Sequence, residues 1–334
     1  MRPSEPSPRA TVNAHEAVAD LHHGLFTGLV LGLIGRRSPA LAEDFVFRCF
    51  RRQHEEKFLP GLAKLGLDRL PHAVAAARYH FQSNAIGGVL TEYVEETPKK
   101  AWVRYPPPRW IWAGTAICAV PPEVNTAMLR GWHAQNGVTL GNPRLGFVCT
   151  GTTVAGAPGL EGYYVEEDRV LAPDERLRFS TERMPAHDAV KAPKLSTVDW
   201  PAERLAKAKR NYAIDYVRTG VPVLIELLGR DDGIGFGRSM ARLIGMQLSL
   251  DIFRLLGEAT DSARVVAALA RAGGHKASVE GSSVIQNGWP LEGLGRDAFR
   301  VWSGLIEGLV AALDRDAVVE ASFGEKIVWR FGRS

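Results

Sequence analysis

Apolar residues recur at three- and four-residue steps near the start of the chain. Val18, Leu21, Leu25, Leu29 and Leu33 form one helical face and predict a helix over 15–34. Arg36 and Arg37, followed by Pro39, place cations in the last turn and a proline beyond it, which ends the helix. The same period continues through Phe45, Cys49, Phe58, Leu62 and Leu65, predicting a second helix over 41–65 with Gly66 as its stop. An alanine-rich third helix, 71–86, closes at Gly87 and Gly88. From residue 89 the helical period gives way to strand-like stretches. Strands are expected at 89–95, 101–105 and 110–119, with a turn at 97–100, while Pro106, Pro107 and Pro108 forbid one continuous ladder. Pro121 and Pro122 suit the first turn of a helix over 121–136. Strands at 144–152, 160–166 and 175–183 follow.

Residues 184–200 contain prolines and little periodicity, the composition of a linker. Beyond it the order of elements repeats in shortened form: helices at 201–228, 237–256 and 262–272, extended material at 279–289, a helix at 295–313, then a hairpin from 318–322 and 326–331. The expected architecture is therefore α+β, a helical layer against an antiparallel sheet, arising by degenerate tandem duplication and packed as an intrachain pseudo-dimer. The expected division is a disordered Pro/Ser-rich leader at 1–13, a ligand-binding or catalytic domain at 14–183, the linker at 184–200, and a second, mainly helical α+β domain at 201–334.

Length agrees with two domains, since 334 residues exceed one typical core of roughly 150. Charge changes little: 41 basic and 37 acidic residues leave a formal +4, with no basic block or stripe, which argues against a nucleic-acid partner. The most apolar run, 24–35, falls short of the ~20 residues a membrane span requires and reads as a buried helix face, so no membrane partner is expected. Cys49, Cys118 and Cys149 have no paired spacing and fit reduced thiols in a cytoplasm.

Chemistry concentrates in 90–112. Trp102, Trp110 and Trp112, with Tyr93, Tyr105, Arg104 and the carboxylates Glu92, Glu95 and Glu96, suit the wall of a small-molecule pocket or the filling of a twisted hairpin. Glu92 and Glu96 share a strand face, where apolar surroundings would raise a carboxyl pKa for general acid–base work; a solvated edge is the plainer alternative. On a later strand Glu161 and Tyr163 fall on one face, and Leu160, Gly162 and Tyr164 on the other. Gly162 permits close approach of a ligand or of neighbouring backbone. Cys149 with His133 is a possible thiolate–imidazole pair, against an inert buried cysteine. His15, Glu16, His22, His23, His54 and Glu55 match no recognised metal spacing, and no metal ligands are assigned.

Three segments, 142–145 (NPRL), 159–162 (GLEG) and 171–179 (LAPDERLRF), resemble closing motifs of the L-2-amino-thiazoline-4-carboxylic acid hydrolase-like family, itself similar to 4-vinyl reductase type ligand-binding domains. The resemblance covers about residues 70–183. It implies helices set against an antiparallel sheet and a cytoplasmic hydrolase of small amide-like or heterocyclic C–N compounds. Leu177 stands where that family carries a cysteine, so no cysteine- or metal-centred chemistry carries over. The candidate catalytic residues are then Glu92, Glu161, His133 and Cys149. The candidate ligand contacts are Tyr93, Trp102, Arg104, Trp110, Trp112, Tyr163 and Tyr164. The alternative is a non-catalytic binder or sensor of an aromatic or apolar ligand. No cofactor is named by the sequence, and self-association remains open.

Overall fold

The structure is a computed structural model, and it describes residues 7–107, 114–257 and 261–333. The chain divides into two compact units: a mid-chain unit, Leu33–Trp200, and a terminal unit made of Met1–Gly32 with Pro201–Ser334. This departs from the expected 14–183 domain, because most of the first helix, α1 (Pro8–Arg36), belongs to the terminal unit. The leader expected at 1–13 is helical from Pro8 onward.

In the mid-chain unit, α2 (Pro39–Lys64) starts where the Ser38 side chain accepts from the Leu41 N–H and Pro39 opens the first turn. It stops at Leu65, and Gly66 follows at φ 67°, a conformation that favours glycine. α3 (His72–Ile86), β1 (Glu92–Thr97) and β2 (Lys100–Tyr105) come next, close to expectation. The strand expected at 110–119 is not formed in its described part: Gly114–Ala119 is a 3-10 turn, and 108–113 lie outside the described residues. The single helix expected at 121–136 breaks into α4 (Pro122–Gly131), a 3-10 turn (His133–Gln135) and α5 (Asn136–Thr139). β3 (Leu145–Gly151) and β4 (Leu160–Glu166) follow, and the strand expected at 175–183 shrinks to β5 (Leu177–Phe179).

The sheet runs β1-β2-β4-β3-β5, antiparallel except for β5, which pairs parallel to β3. Register places Arg104 opposite both Glu92 and Glu161, and Trp102 opposite Val94 and Tyr163. Tyr164 lies opposite Ala101 and Phe147. Strand parity therefore puts Glu92, Trp102, Arg104, Glu161 and Tyr163 on one face, and Tyr93, Tyr105, Tyr164, Phe147 and Cys149 on the other. α3 packs over β1, β2 and β4 on this second face, and α5 packs over β3.

The terminal unit adds α6 (Ala202–Leu228), α7 (Arg230–Leu256), α8 (Ser262–Ala272), β6 (Lys276–Glu280), β7 (Ser283–Asn287), α9 (Gly295–Leu313), β8 (Ala317–Phe323) and β9 (Ile327–Arg333). Its antiparallel sheet has the order β6-β7-β9-β8. α1 packs here through Gly24, Gly28 and Gly32, where an added Cβ would come within 2.5 Å of Leu248, 2.6 Å of Ile244 and 2.4 Å of Met240 on α7. By length and composition α1 is apolar enough to cross a membrane, yet Val18, Leu21, Leu25, Leu29 and Leu33 are all fully buried within the protein. α1 also brings His22 into this core, where its Nδ1–H donates to the Val18 carbonyl at 2.7 Å and its Nε2 accepts from the Trp302 indole at 3.2 Å.

Candidate functional site

The expected aromatic wall resolves into packing. Trp102 is fully buried, and its indole N–H donates to Glu96 at 2.6 Å. Its ring lies 4.5 Å from that of Tyr163, and the Lys100 ammonium sits over both rings at 4.9 and 4.4 Å. Its indole N–H is thus paired and its ring packed against Tyr163 and Lys100, so protein contacts surround the Trp102 side chain in this structure. Trp110 and Trp112 lie outside the described residues. On the same sheet face Arg104 is ion-paired to Glu92 and lies 3.6 Å from Glu161. Glu161 also accepts from the Thr150 hydroxyl at 3.0 Å and the Met184 N–H at 3.1 Å. Arg104 and Glu161 line a cleft of about 470 Å³ together with Thr150, Glu182 and Arg183. Polar and charged partners therefore surround Glu92 and Glu161 on this face, in place of the apolar surroundings considered for the strand carboxylates.

The helix-covered face has a different character. Three histidines, three tyrosines, an asparagine and a tryptophan meet there in a layer shielded from water. His54 comes from α2, Tyr79 and His80 from α3, Tyr105 from β2, Trp132 and His133 from the break after α4, Asn136 from α5 and Tyr164 from β4. All are at least nine-tenths buried, His54, Asn136 and Tyr164 completely. His80 and His133 stack with ring centres 4.2 Å apart and planes 11° from parallel. Tyr164 lies nearly parallel to both, at 5.9 and 5.7 Å.

Hydrogen bonds order this layer. Asn136 Nδ2 donates to the Tyr164 hydroxyl at 2.9 Å, and that hydroxyl is hydrogen-bonded to His133 Nδ1 at 2.6 Å. His133 Nε2 faces the Tyr105 hydroxyl at 3.4 Å, and which ring nitrogen donates follows from the tautomer. Asn136 Nδ2 also lies 3.5 Å from His80 Nε2, and His54 Nε2 lies 2.9 Å from the Thr139 hydroxyl. Burial pushes the His80 pKa down to about 3, and burial with the nearby Arg51 charge pushes His54 down to about 4. Burial holds Tyr164 well above its ordinary value. At neutral pH His80, His54 and Tyr164 are therefore uncharged, and each neutral imidazole offers one donor and one acceptor. Three polar atoms in the layer have no protein partner: Asn136 Oδ1, Trp132 Nε1 and His54 Nδ1.

Local sequence explains the construction. Gly162 is required because a Cβ would come within 2.4 Å of the Val148 carbonyl and 2.6 Å of the Phe147 ring. Its absence lets Phe147 lie across β4, 4.9 Å from Tyr164 and 4.5 Å from His133. The close approach expected at Gly162 is thus to a neighbouring strand. His80 continues an inner helical face with Ala73, Ala76, Ala77 and Asn84, all buried. A histidine on an alanine-lined inner face is the sequence signal for this site, and the expectations above missed it, as they missed Trp132 and Asn136 as site members.

The structure brings His133 and Tyr164 of the expected site residues into this layer. Tyr93 is on the same face but bonds to Glu95 at 3.0 Å and packs against Phe81. Cys149 shares the face too. Its thiol donates to the Gly151 carbonyl at 3.6 Å, and burial pushes its pKa up to about 11, so the expected thiolate does not form at neutral pH. Of the histidines weighed as metal ligands, His15 and His22 belong to the terminal unit and His54 to the mid-chain unit. Among the described residues no group of three His, Cys, Asp or Glu is arranged to hold a metal ion.

Fold and site together define an α+β chain whose mid-chain unit encloses a neutral imidazole–phenol layer between helices and sheet. Compared with family models, curated proteins and solved structures, the chain gives no match.

Proposed function

We propose that the mid-chain unit binds a small, neutral aromatic or heteroaromatic compound in the buried layer around His80, His133, Tyr164 and Asn136, as a binding or sensor module. The observation that carries this reading is the set of three unpartnered buried atoms, an acceptor on Asn136, the Trp132 indole N–H and a ring nitrogen of His54, beside stacked aromatic faces. An unsatisfied buried polar group costs about 1–3 kcal/mol, and a compact ring carrying one donor and one acceptor would recover that loss while stacking on imidazole. The terminal unit provides a contrast. Its own helix–sheet layer is filled by Trp289, Phe299, Trp302 and Trp329, and the indoles of Trp302 and Trp329 are paired to His22 and Gln286.

That contrast carries weight if the units share an origin, as we also infer. Each unit has a hairpin, then a helical segment, then two further strands, β1-β2, α4 and β3-β4 in one and β6-β7, α9 and β8-β9 in the other, and the order β1-β2-β4-β3 is repeated by β6-β7-β9-β8. One copy with a polar, incompletely paired layer and one with a closed apolar layer fits a duplication in which a single copy keeps the ligand. The free thiols Cys49, Cys118 and Cys149 fit a reducing, cytoplasmic setting.

The test is a thermal-shift and tryptophan-fluorescence titration with phenol, imidazole and nicotinamide as probes. At least one probe is expected to bind saturably, and Asn136→Leu and Trp132→Phe should each weaken it about tenfold. No saturable binding by any probe, or undiminished affinity in both variants, overturns the reading.

Hydrolysis of a C–N bond is a second reading, favoured by the cleft that Arg104 and Glu161 line. There Glu161, which accepts from Thr150 and the Met184 N–H and lies beside Arg104, is the group suited to act as a base toward water. Loss of turnover on small amides in Glu161→Gln, with folding intact, would support it, and absence of any turnover by the unaltered protein would end it.

A further inference from the structure

A second cleft, of about 520 Å³, opens at the β5 edge of the mid-chain unit, on the helix-covered side of the sheet. Three arginines line it: Arg51 from α2, Arg130 from the end of α4, and Arg176 just before β5. Phe47, Leu177 and Phe179 supply apolar surface beside them, with Phe179 64% exposed although it is a large aromatic. Asp174 is the one acidic residue among the described lining.

The three guanidinium groups are held differently. Arg51 is anchored on the end of α4, donating from Nε to the Gly131 carbonyl at 2.9 Å and from Nη2 to the Arg130 carbonyl at 3.1 Å. Those bonds fix its orientation and use neutral acceptors, so its positive charge is not cancelled by them. Arg130 is ion-paired to Glu43. Arg176 is held only by its backbone, whose carbonyl accepts from the Phe147 N–H at 2.8 Å. Its side chain has no described ion pair or hydrogen bond, and its Nε is buried without a partner. Burial pushes the Arg51 pKa down, the nearby Glu55 carboxylate acts against that, and the Arg176 charge is close enough to lower it further. Arg176 thus faces the cleft beside the Arg51 guanidinium with no described carboxylate partner of its own, a repulsion that an anion between them would relieve.

We propose that this cleft is a binding site for a small organic carboxylate with an apolar body, its carboxylate taken by the Arg176 and Arg51 guanidinium groups and its body laid against Phe179, Leu177 and Phe47. A planar guanidinium presents paired N–H donors that match the two oxygens of a carboxylate, and Arg51 is already oriented. The volume is within the range of small-molecule sites. The exposed Phe179 ring is accounted for as a hydrophobic contact for the ligand rather than a stray surface aromatic. This site is separate from the buried imidazole layer and does not depend on it.

The experiment is isothermal titration of the full chain with sodium benzoate, with inorganic phosphate as the comparator anion at matched ionic strength. Benzoate is expected to bind saturably and more tightly than phosphate. Arg176→Met should weaken benzoate about tenfold or more, Arg176→Lys should recover only part of that loss because the forked donor pair is missing, and Phe179→Ser should weaken benzoate several-fold without changing phosphate. Arg176 and Phe179 have no described role in holding the fold together beyond backbone pairing, and unchanged circular dichroism verifies that each variant is folded. Absence of saturable benzoate binding overturns the proposal. So does benzoate binding that Arg176→Met leaves intact, which would place the anion elsewhere. Phosphate binding equal to benzoate and insensitive to Phe179→Ser overturns it as well, because the cleft would then read charge alone.

Discussion

Acid should unfold this protein early, and the buried imidazoles set how early. His80 and His54 have folded pKa values of about 3 and about 4, and an unfolded histidine titrates near 6.5. As pH falls below 6.5 the unfolded chain takes up protons that the folded layer refuses. The stability of the neutral imidazoles is therefore fully present above pH 6.5 and is lost progressively toward their folded pKa values. Between pH 7 and pH 5 each group accounts for about 2 kcal/mol, so the mid-chain unit should lose about 4 kcal/mol. His22, lowered to about 4 by burial, imposes a further loss of about 2 kcal/mol on the terminal unit. Stopping at pH 5 leaves most carboxylates ionised and separates this effect from ordinary acid denaturation. The assay is urea unfolding followed by tryptophan fluorescence and far-ultraviolet circular dichroism at both pH values. With a slope near 2 kcal/mol per molar, the mid-chain transition should move down by about 2 M urea. His80→Gln, folded but unable to titrate, should recover about half of that shift. A midpoint that moves less than about 0.5 M, or a His80→Gln variant that keeps the whole shift, refutes the description of a neutral, desolvated layer.

Other expectations follow from the same geometry. Tyr164→Phe strips Asn136 Nδ2 of an acceptor and His133 Nδ1 of a partner, and should lower stability by about 1–3 kcal/mol in urea. Gly308→Ala would set a Cβ 2.1 Å from the Arg242 carbonyl on α7, so the α7–α9 contact must open and stability should fall by about 1–3 kcal/mol despite better helix propensity. Gly235→Ala, also helical but with nothing within 4 Å of the new Cβ, should raise stability by about 0.5–1 kcal/mol. Of the three thiols only Cys118 is exposed, so Ellman's reagent should modify one thiol quickly and the other two only on unfolding; a fast second equivalent would contradict the burial of Cys49 and Cys149.

Local rules carried most of the fold. The Gly66 stop of α2 and the alternation in β4 are written in short stretches, and the structure has them close to expectation, while α2 starts at Ser38–Pro39, slightly ahead of the expected 41–65. Elements that failed needed information from distant residues. α1 has an apolar face and a glycine at every fourth position, but nothing within it names Leu248, Ile244 and Met240 as the side chains those glycines admit. The break of the 121–136 helix likewise depends on outside contacts. Gly131 lets α4 approach the Phe47 carbonyl, and Gly137 lets α5 approach the Leu145 carbonyl, where Cβ atoms would come within 2.7 and 2.3 Å. Two helical segments pinned to different partners cannot remain one straight rod, and His133 sits in the bend.

The site shows the same division between what a strand pattern reveals and what it cannot. Parity correctly separates Glu161 and Tyr163 from Tyr164, but it does not say which face the helices cover. A concentration of Trp, Tyr and charge drew attention to the Trp102 face, where the aromatics turn out to satisfy one another and the carboxylates are tied to Arg104, Lys100 and Trp102. The opposite face holds fewer conspicuous residues per stretch, one or two from each of six elements, so no window of sequence displays it. What distinguishes it is unpaired polarity under complete burial, a property of the assembled layer. Aromatic density marks where a chain packs, whereas a histidine on an alanine-lined helix face marks where it has set aside packing for hydrogen bonding, and in this chain that residue is His80.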